Sequence, residues 1–292
     1  MANKALLVGI NDYKSSSDLR GCINDITNMR HVLNRYYNFE EENISLVADG
    51  RATKNRLRKR LEWLMSDLSD GDHIVFHFSG HGSYIKDIDG DERKRVLNDD
   101  ADELICLYGM DWDDPDSYII DDELREWANK KPENVNLTIV LDCCHSGTGT
   151  RDFAIRPPAS LAPTILPVEE DLVTEVRSRF MAPPIDILSR TSLDEHPSLM
   201  TLEEDMNHML LAGCDDWQTS ADAFIDGAYN GAFTYYLCKT IREGGHNLSY
   251  SQMMLEVHRA LKFNGYSQNP QCEGPFENNQ LFAPIREAVA AI

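Results

Sequence analysis

The strongest constraint on the fold of this chain is an alternation of short, unbroken apolar runs with longer amphipathic stretches. Residues 5–10, 44–47, 73–78, 104–108, 135–141 and 208–212 read as strands, several of them apolar throughout. Residues 24–37, 53–68, 121–128, 231–242 and 250–263 carry apolar side chains near helical spacing. A strand with no polar face must be covered on both sides, which an antiparallel sheet exposed to water does not provide. Strands of this kind separated by helices therefore predict an α/β fold: a mostly parallel central sheet flanked by helices on both faces. No internal repeat is evident, and residues 1–292 read as a single domain.

Charge narrows the function classes. Lys plus Arg number 28 and Asp plus Glu 49, a formal charge of −21. A nucleic-acid or anionic-membrane surface needs a basic patch, so neither partner is expected. No apolar run reaches the ~18 residues that span a bilayer. The first residues lack the basic-plus-apolar build of a secretory signal, so a cytoplasmic location is the expectation. The seven cysteines are odd in number and include no CxxC pair, which argues against a disulfide framework or a zinc knot.

One stretch interrupts the pattern. Residues 151–205 hold seven of the twelve prolines, five arginines and no lysine. So many prolines predict no regular element, and the length exceeds a simple connection. It reads as an insert or linker.

Two strands run into unusual sequences. Residues 73–78 continue into Ser79-Gly80-His81-Gly82-Ser83, and residues 135–141 into Asp142-Cys143-Cys144-His145-Ser146-Gly147. Ligands of open α/β sheets sit beyond the carboxyl ends of the strands. A histidine between glycines and a cysteine at a tight turn are thus placed where chemistry happens. An imidazole can take the proton of a thiol, and the thiolate is the nucleophile. Backbone N–H groups at such turns can hold an oxyanion.

These two segments resemble the catalytic signature of metacaspases and bacterial caspase homologues, of the caspase–haemoglobinase fold. The resemblance extends to Leu7-Val8-Gly9-Ile10-Asn11, Leu19-Arg20-Gly21-Cys22-Ile23-Asn24-Asp25, Ile120-Asp121-Asp122-Glu123-Leu124, Ala212-Gly213-Cys214 with Gln218-Thr219-Ser220-Ala221, and Tyr266-Ser267-Gln268-Asn269-Pro270-Gln271. It covers residues 4–271, apart from the insert. It implies His81 as general base and Cys144 as nucleophile, with the N–H groups of Gly82 and Cys144 as the oxyanion hole. Cys143 supports the turn, and His145 is not the base.

The resemblance also implies an acidic substrate pocket, here Asp25 and Asp142, with Cys22 lining it. Two carboxylates can grip a guanidinium bidentately. The expected activity is a cysteine endopeptidase cutting protein or peptide chains after Arg, with Lys second. A non-catalytic caspase-fold interaction module is the alternative. Asp102, Asp121, Asp122 and Asp152 resemble a family calcium site, and hard oxygen ligands suit that ion. The chemistry requires no cofactor; calcium and a protein partner are the candidate activators. Asp87-Ile88-Asp89-Gly90-Asp91-Glu92 lacks the glycine and glutamate spacing of an EF-hand and reads as a solvated loop. An Arg-directed peptidase with arginines in its own linker is a candidate for self-cleavage at Arg151, Arg177, Arg179 or Arg190; Pro157 argues against Arg156. The resemblance implies a monomer.

Overall fold

The computed structural model describes residues 3–14, 17–86, 101–144, 176–188, 206–215 and 218–282. In chain order the elements are β1 (Lys4–Gly9), α1 (Cys22–Tyr37), β2 (Ile44–Ala48), α2 (Lys54–Met65), β3 (His73–Ser79), β4 (Gly82–Lys86), β5 (Ala101–Cys106), β6 (Tyr118–Ile120), α3 (Asp121–Ala128), β7 (Asn136–Asp142), β8 (Arg177–Ser178), α4 (Ile185–Leu188), β9 (Met209–Ala212), β10 (Ala221–Ile225), β11 (Ala228–Gly231), α5 (Ala232–Arg242), α6 (Tyr250–Phe263) and β12 (Gln271–Glu273).

The central sheet has the order β12-β9-β7-β3-β1-β2. Its five strands from β9 to β2 pair in parallel, and β12 joins antiparallel at the edge. Every residue of β1, β3 and β7 is buried, as their apolar sequences require. Alternation along the strands splits the core in two. Leu6, Val8, Ile74, Phe76 and Phe78 pack with Leu57, Leu61 and Leu64 of α2 and Leu124 of α3. Ala5, Leu7, Val75 and Val140 pack with α1, α5 and α6 through Ile26, Met29, Phe233, Leu237, Met253 and Val257. The expected α/β architecture is the one found. Among the described residues no helix is long and apolar enough to cross a membrane.

Two small antiparallel sheets, β4-β5-β6 and β11-β10-β8, complete the molecule. Most of their strands have no apolar run to announce them. The insert also departs from expectation. Residues 176–188 contain β8 and α4, so this part of the Pro-rich stretch is regular. Its two prolines, Pro183 and Pro184, precede α4, where proline removes no needed N–H, and leave the backbone of β8 free to pair. Residues 151–175 and 189–205 lie outside the described part.

Candidate active site

Register brings the two strand ends together. Ser79, the last residue of β3, pairs with Asp142, the last residue of β7, and Gly9 of β1 pairs with Ser79. His81 and Cys144 each lie two residues beyond that row. The Gly80 N–H donates to the Asp142 carbonyl, closing the two exits against each other.

His81 is buried and held from three directions. Its backbone N–H donates to Tyr13 Oη at 2.7 Å, its carbonyl accepts from the Cys106 N–H at 2.9 Å, and the Tyr13 ring lies 4.7 Å from the imidazole. Ring atom Nε2 meets the Ser17 carbonyl. A carbonyl only accepts, so Nε2 carries the proton and Nδ1 keeps its lone pair. Nδ1 is buried and, among the described residues, makes no side-chain hydrogen bond of standard geometry. Burial holds this imidazole below its ordinary pKa, with the Ser17 bond opposing, so near neutral pH it is an uncharged base. Gly80 permits the arrangement: a Cβ there would sit 2.4 Å from Tyr13 Oη.

Cys144 Sγ is buried, accepts the Ser220 N–H at 2.6 Å and donates to the Ser220 carbonyl at 3.5 Å, so both backbone groups of Ser220 fix its position. Its neighbour Cys143 is buried too, and burial raises that thiol well above the ordinary value, so it is inert.

Between these groups runs the chain itself. The Arg179 carbonyl accepts from the Gly82 N–H at 3.0 Å and from the Cys144 N–H at 3.2 Å. Those are the two donors expected to form an oxyanion hole. The Arg179 N–H donates to the Ser220 carbonyl at 3.1 Å, and β8 pairs with β10 through Ser178–Ala221 and Arg177–Asp222. An extended segment added to a sheet edge is how many proteases hold a peptide.

The Arg179 side chain fills an acidic pocket at 0% exposure. Nη2 lies 2.7 Å from Asp25 Oδ2 and 3.2 Å from Asp222 Oδ1, and Nη1 lies 3.3 Å from Asp142 Oδ1 and 2.8 Å from Ser79 Oγ. Each carboxylate is fixed by its own element. Asp25, in the first turn of α1, accepts from Ser79 Oγ and the Gly231 N–H. Asp142 accepts from Ser220 Oγ and, at the start of α5, from the Thr234 N–H and Oγ1. Asp222 accepts from the Arg20 and Gly21 N–H groups that open α1. Both α1 and α5 thus direct the positive ends of their dipoles at the acids. Burial pushes the Asp25 carboxyl up to about 7, against the pull of the Arg179 guanidinium. Burial alone would lower Arg179, but Asp142, Cys22, Asp25 and Asp222 more than reverse it and hold the charge.

The predicted residues therefore fall in one place: His81, Gly82, Cys144, Asp25, Asp142 and Arg179. Cys22 is buried at the same pocket, its thiol raised by burial while Arg179 opposes. Arg177 instead donates to the Asp18 carbonyl, outside the acidic pocket. Arg151, Arg190, Asp152, His145 and the 87–92 loop lie outside the described residues. Asp102 is on β5, and Asp121 and Asp122 open α3, where Asp122 pairs with Arg125. Among the described residues no group of three or more His, Cys, Asp or Glu side chains could hold a metal, and Asp152, the fourth of the expected calcium ligands, is not among them. The sequence motifs include Ser79 and Ser220 without marking a role for them, and Tyr13, Ser17 and Asp222 lie outside the motifs. Asp222 directly follows the quoted Gln218-Thr219-Ser220-Ala221 motif, and an acid beside that motif was the available signal.

Comparison with known proteins decides the family. A caspase-domain family profile matches residues 2–279. The chain belongs to the caspase-domain family. It resembles Metacaspase-1B of Aspergillus terreus, with 31% identity over 96% of this chain and 77% of that protein. It resembles Metacaspase-1B of Aspergillus oryzae at 32% identity, over 96% and 70%. Metacaspase-1 of Coccidioides immitis is 29% identical over 96% of this chain and 63% of its own length. A crystal structure of a Geobacter sulfurreducens protein superposes with a TM-score of 0.64 at 22% identity, covering 98% of this chain and all of that one; at that identity the likeness concerns the fold. This caspase-domain chain is a cysteine-type endopeptidase of metacaspase kind.

Proposed function

We propose that this peptidase cuts chains after arginine through a His81–Cys144 dyad, and that its first substrate is its own Arg179–Phe180 bond. The observation that carries this is the seating of Arg179: guanidinium among Asp25, Asp142 and Asp222, carbonyl oxygen on the N–H groups of Gly82 and Cys144. His81 Nδ1 takes the Cys144 proton, and the thiolate attacks the Arg179 carbonyl carbon. The oxyanion forms on the two N–H donors. Imidazolium then returns the proton to the Phe180 nitrogen as the C–N bond breaks, leaving an acyl-enzyme that water hydrolyses. Until that cut is made and the segment leaves, the pocket is filled, so the same contacts hold the uncut enzyme closed to other substrates. Lysine fits less well, because a single ammonium cannot serve three carboxylates and Ser79 as a planar fork does.

Intact mass after incubation tests this directly. Wild type should yield a break after Arg179, while Cys144→Ala and Arg179→Ala should not. Cleavage after Arg151 or Arg190 instead, or a break that survives Cys144→Ala, would refute the assignment. Peptides ending in Arg, Lys and Asp, with calcium or a chelator, then establish the specificity and whether the ion activates. Silence on all of them would favour an interaction module.

A further inference from the structure

The segment continues past the bond to be cut, and its contacts there concern the other half of a substrate. Gly82 bridges to Phe180 in parallel. The Met181 N–H donates to the Gly82 carbonyl at 2.9 Å, and Ser83 Oγ donates to the Met181 carbonyl at 2.6 Å. One edge of β4 is taken by β5. The other edge begins the track for the residues after the cut. Gly82 uses both its backbone groups on this edge: its N–H on the Arg179 carbonyl and its carbonyl on the Met181 N–H. Two residues along β4, on the same face, stands Tyr84. Its ring stacks on Phe180, with centroids 5.9 Å apart and planes 22° apart. Tyr84 and Phe180 are both half-buried, so the contact removes apolar surface from water.

We infer that Tyr84 is a specificity-determining residue: a platform that selects substrates with an aromatic or other flat apolar side chain immediately after the cleaved arginine. This goes beyond the arginine pocket proposed above and rests on that pocket setting the position of the cut. Covalent spacing enforces the selection. Once a carbonyl is on Gly82 N–H and Cys144 N–H, the next side chain has the β4 edge before it, and Tyr84 is what it meets. Offset stacking of two rings adds a preference of about three- to tenfold beyond simple burial. Phe180 makes the enzyme's own linker a favoured sequence.

Two experiments test it. Matched quenched peptides, identical through the arginine and followed by Phe or Ala, are compared with enzyme already cut after Arg179, from which the segment can leave. The Phe-to-Ala ratio of kcat/KM should be about three to ten, should collapse toward one in Tyr84→Ala, and should survive in Tyr84→Phe. A ratio near one in the parent enzyme, or one untouched by Tyr84→Ala, overturns the platform while leaving the arginine pocket intact; failure to cut either peptide overturns the pocket itself. The second experiment needs no activity from this enzyme. In the full chain with Cys144→Ala, trypsin reaches the Arg179–Phe180 bond only when the segment lifts out. Tyr84→Ala should raise that cut about three- to tenfold over the cut after exposed Arg259, with Tyr84→Phe like the parent. An unchanged rate, or an equal rise at both sites, refutes the platform.

Discussion

Asp25→Asn tests the pocket at one of its three carboxylates. The side chain accepts from Arg179 Nη2 at 2.7 Å, Ser79 Oγ at 2.7 Å and the Gly231 N–H at 2.9 Å. Asparagine keeps the shape and one oxygen, enough for the Gly231 bond, but loses the charge facing the guanidinium. A hydrogen bond to a charged group contributes about 1.5–3 kcal/mol, so kcat/KM on an Arg peptide should fall about 10- to 150-fold at pH 8. Burial sets the Asp25 carboxyl to about 7 with Arg179 in place and higher without it, so the vacated wild-type pocket weakens as pH falls, by about tenfold per unit once protonated. Burial also lowers His81 from its ordinary 6.5, so its own titration lies on the acid side of that step. The assay is kcat/KM on one Arg peptide from pH 5.5 to 8.5, for wild type and variant, both already cut after Arg179. Wild type should show a step above 7, because the vacated pocket lacks the Arg179 guanidinium that pulls the carboxyl down, and Asp25→Asn should lack it. Stability should move the other way. A carboxyl raised above its unfolded value of 3.8 contributes stability at low pH that is lost as pH rises through about 7. Relative to Asp25→Asn, wild type should therefore melt lower at pH 8 than at pH 5. A variant within threefold of wild type at pH 8, or one that keeps the pH step, would falsify this account of the pocket.

Three further perturbations read other parts of the site. Tyr13→Phe leaves the buried His81 N–H without its acceptor, so stability should fall by about 1–3 kcal/mol and kcat with it; an unchanged denaturation midpoint and kcat would remove Tyr13 from the positioning of His81. Gly231→Ala would put a Cβ 2.3 Å from Asp142 Oδ2 and 2.6 Å from Arg179 Cζ, overlap that costs about 1–3 kcal/mol and should appear as lost Arg cleavage and slower self-processing; normal processing by mass would contradict the packing. Thr234→Val strips Asp142 of one of its bonds at the start of α5 while keeping the Thr234 N–H, so KM for Arg peptides should rise more than kcat falls; a pure kcat effect would place Asp142 in the chemistry rather than in binding.

Much of this was legible in the order of residues. The buried strands β1, β3 and β7 were legible because apolarity without alternation has few solutions, and α3 and α6 run over the very residues their periodicity marks. His81 and Cys144 stood out because each follows such a strand. The strands β4, β6, β8, β10, β11 and β12 were not legible. They are short, or half-polar, and β8 has only two residues; such strands exist because a partner edge accepts them. Asp222 was hidden for the same reason. Along the chain it is one acid among 49 acidic residues, and only the pairing of β10 with β8, together with the N–H groups of Arg20 and Gly21, turns it toward the pocket.

The insert shows the division most sharply. Sequence alone determined that arginines and prolines fill the stretch after Cys144, while the family resemblance implied an acid-lined pocket for an arginine. It had no means of ranking Arg177, Arg179 and their neighbours, because every arginine offers the same guanidinium. Tertiary structure ranked them. Only one residue of β8 and its continuation can have its carbonyl on Gly82 N–H and Cys144 N–H while its side chain reaches Asp25, Asp142 and Asp222, and the Ser178–Ala221 register makes that residue Arg179. Residue type is local chemistry written in the chain; which of several like residues enters the acidic pocket depends on strand register, and register is fixed by contacts between segments far apart in sequence.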